Sequence, residues 1–457
     1  MDATRMIPAA ETSRNAMDPA AEAGGHAVFI ETYGCAFNAA DGEAMAGVLQ
    51  RAGHRVVSDP SAADVIIVNT CTVKDRTYLN FEKRFRRLKA AALAGEGPRL
   101  VVAGCIPKAY ERSDLLAGVA ALGPDAIGRV NEVVEQAMRG GAPHVLRGER
   151  QRGAPRERLP TARRNPLVEI LPIASGCLSA CSFCQTRLAR GRLRSFRPSD
   201  LVEKARRGID EGVREIWITS QDVGAYGREA GYTLTGLVGR IAELPGDFRI
   251  RLGMTSPQWV SAELEAWLDL LDHPRLFRFL HIPVQSGADG VLRAMGRENT
   301  VAEFEAVCEA MLARHPDLAL MTDLIVGFPT ETEADFAETL ALVERVPFAT
   351  VNRSRFSARP GTAAARLTGL PGAVVTERSS RLNVAVRVTT RRWHERLVGR
   401  RERVLTFESD PAGRRTLAHN GAWRPVVLPG VRAVGEWLDV EYVGAADFHL
   451  KGRPVTI

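Results

Sequence analysis

From residue 27 to about residue 138, short apolar runs alternate with stretches of helical periodicity. Ala27–Thr32 reads as a strand, as do Asp64–Asn69 (DVIIVN) and Arg99–Ala103 (RLVVA). The pattern predicts a helix over Asp41–Ala52, with Asp41 as its N-cap and Gly53 as its stop. Strands alternating with helices imply a parallel sheet. A linker rich in Gly, Pro and Arg follows, and then six more strand candidates recur: Val168–Ile173, Glu215–Thr219, Arg249–Met254, Phe277–Val284, Leu318–Val326 and Ala349–Phe356. Helical stretches such as Ser199–Glu211, Ser261–Leu271, Val301–Arg314 and Glu333–Val346 separate them. Six such units predict a parallel barrel, closed or partial. From about Arg401 the texture changes to short strands at Arg403–Glu408, Thr416–Asn420, Arg424–Val427 and Glu436–Val443, split by turn signals. That predicts a small all-β barrel, a shape used for nucleic-acid binding or for packing alone.

The expected divisions are a disordered leader at 1–26, an α/β domain at 27–140, a basic linker at 141–165, a barrel core at 166–395 and a β domain at 396–457. The chain has 457 residues, 45% apolar and 25% charged, which excludes wholesale disorder. No run of eighteen apolar residues occurs, so no transmembrane helix is expected. The first 26 residues lack an apolar signal core, and the expected compartment is the cytoplasm.

Lys and Arg number 61 against 54 acidic residues, a net charge of +7. The charge is uneven. Arg147, Arg150, Arg152, Arg156, Arg158, Arg163 and Arg164 crowd the linker, and Arg387, Arg391, Arg392, Arg396, Arg400, Arg401 and Arg403 precede the β domain. Such crowds are solvated faces or phosphate contacts. We expect RNA contact at Arg396, Arg400 and Arg401, on the picture of two positive surfaces flanking the barrel mouth.

Seven cysteines, an odd number without a secretory signal, argue against a disulfide framework. Cys177, Cys181 and Cys184 form a C-x3-C-x2-C loop just after a strand, with Gly176 allowing a tight turn. Three clustered thiolates can hold iron and sulfide and leave one iron open. Zinc, the alternative, wants a fourth ligand, and the nearest downstream histidine is His273. Cys35, Cys71 and Cys105 each lie just past the carboxyl end of a predicted strand, where ligands bind in open parallel sheets. Singly each could be a small buried residue; three in equivalent places point to a second ligand set. Cys308, mid-helix between Val307 and Ala310, reads as buried and inert.

The cysteine loop, with Phe183 before its last cysteine, resembles that of radical S-adenosylmethionine (SAM) enzymes. The resemblance extends over almost the whole chain. TYGCAFNAADGEAMAG (32–47), NTCTVKDRT (69–77), AGCIPKA (103–109), RRNPLVEILPIASGCLSACSFCQTRLARG (163–191), EIWITSQDVGAYG (215–227), LHIPVQSG (280–287), TDLIVGFPTET (322–332) and RPGTAAA (359–365) are similar, in order, to motifs of the tRNA methylthiotransferases, the threonylcarbamoyladenosine-acting branch above all. This implies a partial (β/α)6 radical SAM barrel, a parallel α/β sheet domain before it and an RNA-binding TRAM barrel after it. It implies a [4Fe–4S] cluster on Cys177, Cys181 and Cys184 that cleaves SAM, and an auxiliary [4Fe–4S] cluster on Cys35, Cys71 and Cys105 that holds the sulfur. SAM also donates the methyl group. A ferredoxin or flavodoxin would supply electrons, and the enzyme would act as a monomer on tRNA, away from membranes. Two other readings stay open: a methylthiotransferase for isopentenyladenosine or a ribosomal-protein aspartate, and a non-catalytic iron–sulfur RNA-binding protein.

Polar residues at strand carboxyl ends line a barrel site. Phe183, Gln221, Asp222, Ser256 and Gln285 are the candidate SAM contacts, with Ser286, Asp323, Asn352 and Arg353 nearby. Each could instead cap a helix or satisfy a loop. Ser220-Gln221-Asp222 stands where radical SAM enzymes often carry Gly-Gly-Glu, so which residue meets the SAM amino group stays open. His281, inside an apolar strand, reads as a satisfied core histidine.

Overall fold

The structure, a computed structural model, describes residues 25–72, 75–110, 114–145, 155–410 and 412–455. The expected leader falls almost wholly outside the described residues, as do Arg147, Arg150 and Arg152 of the linker.

The N-terminal sheet has six strands, all paired in parallel. In spatial order they are Arg55–Val56, Ala27–Thr32, Val65–Thr70, Arg99–Gly104, Ala120–Leu122 and His144–Val145. Both faces are covered, which is why the central strands read as unbroken apolar runs. Val65 and Ile67 pack with Met45, Val130 and Val133 on one side. Ile66 and Val68 pack with Phe81 and Phe85 on the other. Each such fully buried side chain contributes roughly 1.5–3 kcal/mol.

The first helix spans Ala36–Arg51 and begins five residues before the expected start. Cys35 occupies the N-cap position, and Asp41 lies fully buried mid-helix, so the N-cap reading of Asp41 is wrong. Its carboxylate is engaged by arginines distant in sequence, a tertiary use that local patterning cannot reveal. Gly53 does stop the helix, at φ 90°. The helix is buried on most sides because it sits between the N-terminal sheet and the barrel, Ala39 and Ala40 packing on Val168 and Ile170.

The barrel is an arc of six parallel strands. Val168–Pro172, Glu215–Thr219 and Arg249–Arg251 form one half, and Phe279–His281, Ala319–Val326 and Thr350–Arg355 the other. Bridges Ile250–Leu276 and Met254–His281 join the halves. Outward residues such as Ile216, Ile218, Ile250 and Leu280 form the main core with the surrounding helices. Cys308 belongs to that core, and burial pushes its thiol up.

The C-terminal domain is a closed antiparallel and parallel barrel of Arg401–Ser409, Arg415–His419, Pro425–Pro429, Leu450–Pro454 and Trp437–Ala445. It packs against the amino-terminal ends of the large barrel's strands. Trp423, at φ 52°, meets Trp217 and Phe279 edge-on at 5.4 and 4.9 Å. The Arg251 guanidinium lies over the Trp423 ring at 4.5 Å, and His419 Nδ1 is 2.7 Å from Glu215 Oε1.

This placement corrects the picture of two positive surfaces flanking the mouth. The second arginine crowd descends with the helix Gly372–Glu395 toward the end opposite the cysteine loop. In the described part of the first crowd Arg164 is exposed, but the other three arginines are held by carboxylates. Arg156 is mostly buried and paired with Asp41, Arg158 with Asp200, and Arg163 with Glu169 and Glu211. This segment straps the N-terminal sheet to the barrel.

Candidate active site

The cysteine loop leaves the first barrel strand through Gly176, at φ 88°, where an added Cβ would sit 2.1 Å from the carbonyl oxygen of Arg192. The Gly176 N–H donates to Gln221 Oε1 at 2.7 Å. Across the mouth, the Ser182 N–H donates to the Met295 carbonyl at 2.8 Å, and Ser182 Oγ to that of Ala294 at 2.9 Å. Phe183 packs with Val291, Met295 and Phe328, so it seats the loop from behind. The loop therefore has three anchors and presents three half-buried, unbridged thiols.

Burial, then the nearby Asp222 carboxylate, pushes the Cys177 thiol up to about 12. Burial also raises Cys181, against the pull of Arg297, whose Nη1 lies 3.8 Å from its sulfur. Arg297 is not legible as a site residue in the sequence. It reaches Cys181 across 116 positions and carries no local motif.

Asp222 is buried. Its Oδ1 accepts from the Ser256 N–H at 3.2 Å and its Oδ2 from Trp259 Nε1 at 2.9 Å. Burial raises its carboxyl, and these bonds oppose the rise. Ser256 is buried at the N-cap of the helix Pro257–Ala262. Gln285 holds φ 81°, left-handed for a residue with a side chain, and its N–H donates to the Asp323 carbonyl at 2.9 Å. His281 is indeed satisfied: its Nε2 is 3.0 Å from Asp323 Oδ1, to which Asn352 Nδ2 also donates at 2.7 Å.

Cys35, Cys71 and Cys105 come from the carboxyl ends of three neighbouring strands. Cys35 is exposed, and Cys71 and Cys105 are buried. An added Cβ on Gly34 would lie 3.0 Å from Cys71 Sγ, so only glycine lets these loops close. Asn38 Nδ2 donates to the Thr70 carbonyl at 2.7 Å and fixes the loop before Cys71. A hydrogen bond with Cys71 is the largest influence drawing the Cys35 thiol down to about 6. Burial raises Cys105, while Arg190 opposes the rise.

Among the described residues, no three His, Cys, Asp or Glu side chains converge tightly enough for a single metal ion. A four-iron cluster spreads its thiolates wider, and two glycine-closed pockets of three thiols each fit that group in donor chemistry. Of the arginines expected at RNA, Arg396 donates to the Pro316 carbonyl and stacks on Trp393 at 4.8 Å, and Arg400 pairs with Asp317 at 2.8 Å. Arg401 is exposed at the start of its strand. Among the described residues no helix is long and apolar enough to cross a membrane.

Two family models match the chain. One, described as Uncharacterized protein family UPF0004, covers residues 27–120, and the Radical SAM superfamily covers 171–343. The threonylcarbamoyladenosine tRNA methylthiotransferase of Homo sapiens is 38% identical over 435 residues, spanning 94% of this chain and 74% of its own. The probable threonylcarbamoyladenosine tRNA methylthiotransferase of Pyrococcus horikoshii is 37% identical over 431 residues, spanning 94% and 99%. Among solved structures, the radical S-adenosylmethionine methyltransferase TsrM of Kitasatospora setae, with cobalamin and a [4Fe–4S] cluster bound, is similar with a TM-score of 0.53 at 15% identity. That match covers 75% of this chain and 77% of the other, and it bears on the fold alone.

Proposed function

This chain belongs to the family of threonylcarbamoyladenosine tRNA methylthiotransferases, and from that premise we propose that it places a methylthio group on C2 of N6-threonylcarbamoyladenosine beside the tRNA anticodon. That carbon carries an unactivated aromatic C–H bond, which no side-chain base removes at neutral pH. A radical route is the physical reason for SAM and iron–sulfur chemistry. Cys177, Cys181 and Cys184 would hold one [4Fe–4S] cluster, and Cys35, Cys71 and Cys105 the other. When bound, the barrel cluster would supply one-electron reduction of SAM, and the sheet cluster would supply the chemistry of the inserted sulfur.

The chain's own residues then act by placement. Gln221 anchors the turn at Gly176, and Phe183 seats the loop. Asp222, aimed by Ser256 and Trp259, sets a carboxylate near Cys177, where the SAM ammonium group would be received. Gln285 supports this assignment of the mouth, because strained positive φ in a residue with a side chain concentrates at functional sites. The units at 27–140, 166–395 and 396–457 are our functional division, supported by family matches to 27–120 and 171–343.

The protein would work as a cytoplasmic monomer reduced by a ferredoxin or flavodoxin. Unbridged thiols throughout the described chain suit a reducing compartment. We assign RNA contact to Arg400 and Arg401 and to the exposed arginines of the helix Gly372–Glu395, which would carry the RNA along the barrel wall. The observation that carries the whole reading is that two independent cysteine triplets are built at carboxyl strand ends of adjoining α/β units. Mass spectrometry of tRNA nucleosides tests it: the 2-methylthio derivative should vanish when the gene is deleted and return with it. Unchanged nucleosides would overturn it.

A further inference from the structure

Asp41 is fully buried, and two guanidinium groups converge on it. Arg190 Nη2 donates to Asp41 Oδ2 at 2.6 Å, and Arg156 pairs with Oδ1. The guanidinium groups of Arg190 and Arg156 also lie over the ring of Phe37, at 4.3 and 4.6 Å. Arg190 ends the short helix Thr186–Arg190 just after the cysteine loop. Asp41 and Phe37 belong to the helix that Cys35 caps, and Arg156 to the strap between domains. Three distant stretches of chain therefore meet beside the helix Cys105–Ala109, at the end of the segment that follows the cysteine loop.

The charges here do not balance. Two buried cations share one carboxylate. The next acid, Asp125, is already held by Lys108 at 2.6 Å. A buried cation without a counter-charge is strongly unfavourable, so a fold that keeps one holds an anion nearby. Arg190 Nη1 is buried with no hydrogen-bond partner, as are Nη1 and Nε of Arg156. The missing anion has an evident place. The helix Cys105–Ala109, which begins on a cysteine of the sheet-side triplet, packs on Thr186–Arg190, which ends on Arg190. A four-iron core held by three thiolates is an anion in its resting state.

Resting on the cluster assignment above, we infer that Arg190 is a positioning residue for the sheet-side cluster: aimed by Asp41, it turns a buried positive charge and a spare N–H toward the sulfur held by Cys35, Cys71 and Cys105. It thereby fixes one cluster from the chain segment that carries the other. Positive charge and hydrogen bonds at sulfur raise a cluster's reduction potential. Arg190 therefore sets the potential of the sheet-side cluster as well as its place.

The test uses the full-length chain with Cys177, Cys181 and Cys184 all changed to Ala, which retains the sheet-side triplet alone. Arg190→Gln and Arg190→Lys are added separately. Iron per chain, thermal unfolding and the midpoint of the one-electron couple, titrated with dithionite and followed by electron paramagnetic resonance, are measured. The expected result is a more negative midpoint for Arg190→Gln and a smaller shift for Arg190→Lys. Loss of iron from Arg190→Gln at an unchanged melting temperature, with recovery in Arg190→Lys, supports the inference equally. An unchanged midpoint at full iron overturns it. So does a joint fall of iron and melting temperature in both variants, which marks a merely structural residue. If the triple-alanine chain fails to fold, the same titration is read on the sheet-side signal of the chain with all six cysteines. Should that chain bind less than two clusters, the cluster assignment itself falls and the inference with it.

Discussion

Gln221 Oε1 accepts the Gly176 N–H at 2.7 Å, so the end of the second barrel strand holds the first turn of the cysteine loop. Removing the acceptor leaves a part-buried donor unpaired, at a cost of about 1–3 kcal/mol. Gln221→Ala should still assemble both clusters, but its SAM cleavage should fall about tenfold or more as the loop loosens. Iron analysis beside 5′-deoxyadenosine formation checks this. Wild-type cleavage would show that the bond has no part in shaping the loop.

Gly176→Ala should be harsher. The new Cβ would sit 2.1 Å from a backbone oxygen, at a φ that side chains rarely adopt. The expected outcome is a folded chain that binds about half the wild-type iron, because only the sheet-side triplet stays intact. Full iron would mean that the loop can rebuild around the clash.

The two triplets should separate genetically. Cys181→Ala should abolish SAM cleavage. Cys71→Ala should keep some cleavage to 5′-deoxyadenosine yet make no methylthio product, because the sulfur-carrying site is destroyed. Product and cleavage measured on the same reconstituted samples decide the point. Equal loss of both activities in folded Cys71→Ala protein contradicts the division of labour.

The legibility of this protein from sequence follows the range of each interaction. The cysteines past strand carboxyl ends and the Gly53 stop are local, and the structure keeps them. The expected strands Arg249–Met254 and Phe277–Val284 shorten to Arg249–Arg251 and Phe279–His281, because where pairing stops is set by the neighbouring strand. Asp41 misleads because an aspartate near a helix start is chemically fit to cap it, and nothing local tells of Arg190, 149 residues away. Arg297 and Trp259 escape notice for the same reason. Arg396 and Arg400 look like free cations in a string of arginines. Their partners, the Pro316 carbonyl and Asp317, lie some 80 positions upstream. Which end of the large barrel the small one would cover is a packing outcome that periodicity does not carry.

Those partners sharpen the RNA prediction. The Arg400–Asp317 pair is exposed, so Arg400→Gln should change stability by less than about 1 kcal/mol. Changing Arg400 and Arg401 to Gln together should weaken tRNA binding and flatten its salt dependence, since the protein then neutralises fewer phosphates and releases fewer counterions. Filter binding across a salt series measures this. An unchanged slope would leave Arg400 to its pair with Asp317 and take the RNA contact away from both residues.

Acidity should act through Glu43. Burial pushes its carboxyl up to about 7, against the Arg164 N–H that donates to it at 3.1 Å. Between about 4.5 and 7 the native state keeps a proton that the unfolded chain has released, so stability falls as pH rises through that window and stays lower above it. Glu43→Gln removes this slope. Relative to wild type it should gain on the order of 2 kcal/mol between about pH 5.5 and about pH 7.5. Denaturant melts of both proteins at each pH give the difference, and a flat difference would refute the buried, proton-holding carboxyl.

The Trp423 ring, set against Trp217 and Phe279 beneath Arg251, closes the large barrel from below. An arc plugged at that end is one-sided: the cysteine loop, Asp222 and Gln285 stand at the other end, and whatever reacts there comes and goes from the carboxyl side or through the open seam of the arc.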